Sequence, residues 1–246
     1  MHKLKLSEFP FYLLLLLFAL LPFNAKVIPP LIILISLTAL IFGERAYWKN
    51  KFITSIPYTL PLLALYIWGV TSTLWTGHLD VTLKDLEHKL SLIVFPIVIP
   101  LIKLNSSRLH YLLKLFVVCC TVVALICLSG TFYKLMFNVP PVDGIDFSEE
   151  FAIKDGFGQV HSLFMHRSYY AMYLCVSIWY VLKAITNRTH LKFSTTNILY
   201  IAILLVLVLG VVFSESKTGL ITLLLLIILF LIDNYKYITK KMILVR

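Results

Sequence analysis

Long apolar runs interrupted by short polar turns constrain the fold of this chain more than any other feature. The run from Gly219 to Ile232, for example, reads GLITLLLLIILFLI and carries no charge. A helix needs about 20 mainly apolar residues to cross a bilayer core about 30 Å thick, where it satisfies its own backbone hydrogen bonds. The composition agrees, because 60% of the residues are hydrophobic and only 14% are charged. We therefore predict an all-α, polytopic membrane protein that forms a single transmembrane helical domain over residues 1–246.

About eight transmembrane helices are predicted, one for each apolar segment of sufficient length. The first, second and fourth segments are short, which fits a tilted or an interfacial helix as well as a full span. The eight segments are Phe9 to Phe23, Val27 to Phe42, Ile56 to Trp75, Leu90 to Leu104, Leu112 to Phe132, Ser168 to Ala184, Asn197 to Phe213 and Gly219 to Ile232.

The distribution of Lys and Arg predicts the orientation of these helices. Cytoplasmic loops of membrane proteins are enriched in basic residues. With the N-terminus in the cytoplasm, most of the 22 basic residues fall in cytoplasmic segments. Both termini are therefore predicted to be cytoplasmic, and the net charge of +10 is interpreted as a signal of topology. Since the charge has this explanation, no nucleic-acid partner is expected.

Three segments are predicted on the outer, periplasmic face. Residues 76–89 are interpreted as a surface helix because leucines at helical spacing form one apolar stripe, although a simple connector explains the same pattern. Residues 134–167 form a long periplasmic loop whose acidic residues lack the fixed spacing of a calcium site. No metal and no cofactor is therefore expected. Residues 214–218 are predicted to form a tight turn.

This tight turn lies in the stretch FSESKTGL, from Phe213 to Leu220, and it indicates an anion site. Ser216 and Thr218 are typical capping residues for the helix that follows. The start of a helix favours negative charge, and Lys217 adds a cation. The alternative is a capped turn whose lysine simply reaches the lipid headgroups.

A second cation is predicted on the same face, where the long loop runs into MHRSYYAMYL. Arg167 lies at the outer end of the sixth segment. A charged guanidinium near the membrane is costly unless it binds an anion or extends to the lipid headgroups. It is interpreted either as an arginine on lipid phosphates or as a clamp for a phosphate of a lipid-linked substrate. His161 and His166 flank it and are the candidates for a catalytic base.

Three motifs, in order along the chain, resemble those of a known family. The first, LYIWGVTSTLWTGHLDVTLKDLEHKLSLIVFPIVIP, comprises a helix that ends near a tryptophan, a surface helix and a proline-containing helix. The second, HRSYYAMYLCVSIWYVL, is a helix that starts after a histidine. The third, SESKTGLITLLLLIILFLI, is a turn with a serine, a basic residue, a small residue and a glycine before a long aliphatic helix. From about Ile56 to the C-terminus, the chain thus resembles the O-antigen ligase and O-antigen polymerase family.

The resemblance implies a metal-independent, multi-pass glycosyltransferase of the bacterial inner membrane. Its donor would be an undecaprenyl-pyrophosphate-linked glycan, and its acceptor a lipid A core sugar or another sugar, both at the periplasmic face. Lys217 matches the basic residue of the family's turn, and Arg167 lies where a second phosphate clamp is expected. Ser216 and Thr218 complete the expected pyrophosphate site. Membrane lipids are the other expected partners.

The chain departs from the family in its length. Family members carry a large periplasmic loop, which contains the catalytic histidine, and further helices after the aliphatic one, whereas this sequence ends at Arg246. We therefore expect either a truncated form or a short relative that takes its base from elsewhere.

Two other functions stay open at this point. One is an O-antigen or polysaccharide polymerase, which uses the same donor but another acceptor. The other, from a different class, is a non-catalytic polyprenyl-lipid-binding or export subunit. A small-solute transporter is less favoured, because such proteins place charged residues at the middle of the membrane, whereas here they lie at the ends of the predicted helices.

Overall fold

The structure, a computed structural model, describes residues 8–23, 27–43, 45–75, 86, 89–137, 166–186 and 195–244. These residues are helical or lie in short turns, and no β-strand occurs among them. The prediction of an all-α fold is confirmed for this part of the chain. The surface helix expected at 76–89 and the loop expected at 134–167 lie largely outside the described residues and stay predictions.

Each of the eight apolar segments overlaps one helix of the structure. A short 3-10 turn, Ile99–Leu101, directly follows the fourth helix. The helices are α1 (Phe9–Leu20), α2 (Ile28–Phe42), α3 (Arg45–Ser72), α4 (Ser91–Val98), α5 (Ser106–Phe137), α6 (Arg167–Thr186), α7 (Thr195–Phe213) and α8 (Lys217–Leu244).

Among the described residues, two helical stretches are long and apolar enough to cross a membrane. They are Ser106–Phe132 in α5 and Lys217–Asn234 in α8. A third is added if the two parts of α3, Lys51–Pro57 and Thr59–Ser72, which meet at a bend, form one span. At about 1.5 Å per residue, the 18 residues of the α8 stretch extend about 27 Å, close to the thickness of a bilayer core. The structure thus supports a membrane-associated helical protein with two or three candidate spans.

The chain divides into two compact units. The first consists of Met1–Phe18 and Lys26–Leu112, and the second of Ala19–Ala25 and Leu113–Arg246. In the first unit, α4 and the 3-10 turn pack against α3, and α2 packs against α4. The single transmembrane domain that the sequence suggests stays a prediction.

Polar contacts fix the start of α5 within the first unit. The side-chain oxygen of Asn105 accepts a hydrogen bond from the backbone N–H of Arg108 at 2.9 Å, which caps the helix. The guanidinium of Arg108 forms an ion pair with Glu8 at 2.7 Å and lies 4.9 Å from the ring centre of Phe11. Since both charged side chains are partly exposed, this pair stabilises the unit by about 1 kcal/mol at most.

In the second unit, α6 packs against both α7 and α8. One face of α6 is buried, and its members recur at the three- and four-residue spacing of a helix. The close approach of α7 depends on Gly210, because a Cβ there would lie 2.7 Å from the end of the Leu174 side chain and 3.1 Å from the hydroxyl of Tyr170. The buried residues of α6 are Tyr170, Ala171, Leu174, Cys175, Ser177, Ile178 and Val181.

Helices α6 and α8 run parallel, which places both of their N-termini at the same end of the unit. Near that end, Ala171 faces Gly219 so closely that a Cβ on Gly219 would lie 2.4 Å from the Cβ of Ala171. Further along, the rings of Trp179 and Phe230 meet edge to face with their centres 6.5 Å apart. At the far end, Lys183 pairs with Asp233 at 2.9 Å. The contacts advance in the same direction along both helices, as parallel packing requires.

We predict that Gly219→Ala destabilises the second unit by about 1–3 kcal/mol, because the new methyl group forces α6 and α8 apart. The measurement is thermal unfolding of the purified chain in detergent micelles. The matched test is the double variant Gly219→Ala with Ala171→Gly, which removes the opposing methyl group and should recover most of the loss. Equal stability of Gly219→Ala and the wild type would contradict the close contact.

Candidate functional site

The site is built on the tight turn between α7 and α8. Helix α7 ends at Phe213, and Ser214, Glu215 and Ser216 lead into α8. Ser214 is fully buried, and its hydroxyl donates a hydrogen bond to the carbonyl of Val211 at 2.7 Å. Its backbone N–H donates to the carbonyl of Gly210 at 3.1 Å. These contacts satisfy the polar groups at the end of α7 and hold the turn in place.

Ser216 caps the start of α8, as the sequence suggests. Its hydroxyl oxygen accepts a hydrogen bond from the backbone N–H of Gly219 at 3.1 Å, and its carbonyl accepts one from Leu220 at 2.9 Å. Thr218 acts indirectly, since its hydroxyl lies 2.9 Å from that of Ser216. Ser216 is buried, whereas Lys217 and Thr218 are exposed. The cap is therefore shielded from solvent while the two residues that follow it face outwards.

The start of α6 is capped by His166. The Nδ1 atom of this histidine accepts a hydrogen bond from the backbone N–H of Ser168 at 3.3 Å, and its carbonyl accepts one from Tyr170 at 3.1 Å. Its ring also meets the ring of Tyr169 edge to face at 6.1 Å. Arg167, the first residue of α6, is exposed, as is His166. The other histidine candidate, His161, lies outside the described residues.

The contact between Ala171 and Gly219 brings these two helix starts together. Arg167 is one helical turn before Ala171 on the same face of α6, and Lys217 is two residues before Gly219. A weak contact from the thiol of Cys175 to the carbonyl of Gly219, at 3.7 Å, adds to this packing. Two cations and two positive ends of helix dipoles therefore lie at one end of the second unit together with the carboxylate of Glu215, and the net positive charge favours binding of an anion.

The donors at this end suit an anion better than a metal ion. A guanidinium, an ammonium group and hydroxyl groups donate hydrogen bonds to phosphate oxygens. Within the part of the chain that the structure describes, no group of three or more His, Cys, Asp or Glu side chains is arranged to hold a metal ion. The binding roles of Arg167, Lys217, Ser216 and Thr218 stay predictions.

Sequence reasoning missed Glu215. Its backbone adopts a left-handed conformation, with φ of 50°, and its side chain is exposed between two buried serines. Glycine or asparagine is the usual residue in this conformation after a helix, so a glutamate gives no signal for it. Only the run of polar residues in SESKTG indicates in the sequence that this turn has an unusual backbone conformation.

A scan of protein-family models gives no match to this chain, and the curated proteins and the solved structures give no match either. The assignment of a function therefore depends on the chemistry of the chain's own residues.

We predict that Ser216→Ala costs about 1 kcal/mol of stability, since it leaves the N–H of Gly219 without its cap. Thr218→Val is the matched control, because it removes a hydroxyl group from the same turn and keeps the cap. We expect a smaller loss for this variant in thermal unfolding of the purified chain. The role of Ser216 as a cap would be refuted by equal losses in the two variants.

Proposed function

We propose that this chain is an O-antigen ligase-like membrane glycosyltransferase of the bacterial inner membrane. It transfers a glycan from an undecaprenyl-pyrophosphate donor to a lipid A core sugar or another sugar at the periplasmic face. The observation that supports this proposal is the meeting of two parallel helix starts, with Arg167 and Lys217 exposed beside them. The three motifs that resemble the O-antigen ligase family support it independently.

The chemistry of the transfer explains why two cations are useful at this place. An oxygen of the acceptor attacks the anomeric carbon of the glycan, and the bond from that carbon to the phosphate oxygen breaks. Negative charge then develops on the departing undecaprenyl pyrophosphate. Arg167 and Lys217 neutralise this charge, and the exposed hydroxyl of Thr218 donates a hydrogen bond to it.

Electrostatic stabilisation of this kind is strong when its donors are fixed in advance. The buried cap at Ser216 fixes the start of α8, and the Ala171–Gly219 contact fixes α8 against α6. Ser216 is thus a positioning residue, whereas Arg167 and Lys217 touch the pyrophosphate. The cations also reach the donor near the membrane surface, where its phosphates lie.

We further propose eight transmembrane helices, with both termini in the cytoplasm. The parallel arrangement of α6 and α8, each starting at the same end, is what two helices separated by one intervening span require. Only 11% of the α8 stretch Lys217–Asn234 is buried within the protein. Its many exposed leucines and isoleucines suit contact with lipid acyl chains and with a polyprenyl tail.

The orientation can be tested with two cysteine variants of one helix, Lys217→Cys and Asp233→Cys, made in a chain whose native cysteines are replaced by serine or alanine. Both side chains are exposed and they lie at opposite ends of the α8 span. In intact spheroplasts, a membrane-impermeant maleimide should label Lys217→Cys and spare Asp233→Cys until the cells are lysed. The reverse pattern would overturn the proposed topology.

The activity is tested by expressing the chain in a bacterial strain that lacks its own ligase and examining its surface polysaccharide on a gel. We expect the wild type to restore the glycan, and Arg167→Ala and Lys217→Ala each to lower it about 100-fold or more, because one charge contact with the leaving group is lost. Lys183→Ala is the matched control. It removes a cation that is paired with Asp233 at the opposite end of the same unit, and it should leave the glycan unchanged.

Other results would point to the other functions. Membrane-inserted Arg167→Ala and Lys217→Ala variants as active as the wild type would refute the pyrophosphate site. Longer glycans without attachment to the lipid A core would favour a polysaccharide polymerase. Binding of undecaprenyl pyrophosphate without any transfer would favour a non-catalytic polyprenyl-lipid-binding subunit, for which the exposed apolar flank of α8 is the supporting observation.

A further inference from the structure

We infer that the carboxylate of Glu215 is the base that accepts the proton of the acceptor hydroxyl. This inference rests on the proposed glycosyl transfer and adds to it a residue that the sequence motifs do not indicate. It is carried by three observations: the backbone conformation of Glu215, the position of its side chain, and the hydrogen bond that occupies His166.

The backbone of Glu215 is in a conformation that glycine adopts more easily. Its φ is 50°, and no other non-glycine residue in the described part of the chain has a positive φ. Left-handed residues other than glycine are disfavoured by the crowding of their Cβ atom; they occur after helix ends, and strained ones cluster at functional sites. A glutamate here gives up local stability that a glycine would provide, which points to a role for its side chain.

The side chain of Glu215 lies in the same turn as the proposed pyrophosphate contact. It is exposed, and it follows the buried Ser214 and precedes the buried Ser216, so its backbone is held on both sides. Lys217, the proposed contact to the pyrophosphate, is two residues away. Of the other described carboxylates, Asp233 lies at the opposite end of the α8 span, and Glu8 is paired with Arg108.

His166 is poorly suited to be the base, although it lies at the same end of the unit. Its Nδ1 atom already accepts a hydrogen bond from the backbone N–H of Ser168 at 3.3 Å. In a neutral imidazole with an accepting Nδ1, the proton is on Nε2, so that nitrogen donates as well. His166 therefore has no free lone pair for a proton unless the cap of α6 breaks. Its available chemistry is that of a hydrogen-bond donor.

The proton balance of the step is complete with Glu215 as the base. The acceptor O–H bond breaks as its oxygen forms a bond to the anomeric carbon, and the proton moves to the carboxylate of Glu215. The bond between that carbon and the phosphate oxygen breaks, and its electron pair leaves with undecaprenyl pyrophosphate. Glu215 then returns the proton to water. Carboxylates serve as bases in the same way in inverting glycosidases.

The decisive variant is Glu215→Gly, because it removes the carboxylate and also removes the Cβ atom that disfavours the left-handed conformation. We expect its thermal midpoint to equal or exceed that of the wild type, while restoration of surface glycan falls about 100-fold or more. Glu215→Gln should lose the transfer equally, and Glu215→Asp should retain part of it.

The outcomes separate this inference from the proposed function. Wild-type transfer by a folded Glu215→Gly or Glu215→Gln variant, with Lys217→Ala inactive, would overturn the role of Glu215 and leave the proposed function standing. An inactive wild-type chain would overturn both. His166→Asn keeps a side chain that caps a helix and should retain the transfer. Its loss in this variant, with activity kept in Glu215→Gly, would make His166 the base.

Discussion

The second unit depends on the close contact between Ala171 and Gly219. Because Gly219 has no side chain and Ala171 has only a methyl group, the backbones of α6 and α8 approach more closely than most side chains permit. Small residues at helix interfaces have this effect in membranes, where packing between helices replaces the hydrophobic driving force. The contact also sets the register of the two helices. With that register, Trp179 meets Phe230 and Lys183 meets Asp233 further along.

The same contact also makes one end of the unit more positive than it would be with antiparallel helices. Two parallel helices point their positive ends to one side, and Arg167 and Lys217 lie at that side. At the other end, the one acidic residue that α8 places there is paired with Lys183. An external anion is favoured at the end where Arg167 and Lys217 lie. Lipid phosphates and a lipid pyrophosphate share this chemistry, and a reaction adds the need for a base, for which Glu215 is the candidate.

The sequence predicts the positions of the helices well, but it predicts their ends less accurately. All eight apolar segments overlap helices, since hydropathy along the chain reports burial in lipid or protein. Helix α3 nevertheless starts at Arg45, well before the predicted segment at Ile56, and α8 continues to Leu244. Long polar residues such as lysine and arginine continue a helix about as readily as leucine, so hydropathy does not mark where it stops. The cap at Ser216 was predictable because it involves residues of one turn.

By itself, the sequence determined that this protein is helical, that it is apolar enough to associate with a membrane, and that Ser216 caps a helix. These properties depend on neighbours along the chain, through local hydrogen bonds and the length of apolar runs. The sequence also predicted Arg167 and Lys217 on one face, but only the tertiary structure decided that Ala171 and Gly219 bring the two helix starts into contact and that Glu215 is left-handed. The reason is physical: the approach of α6 to α8 depends on shape complementarity between residues far apart in the sequence, which no local pattern records.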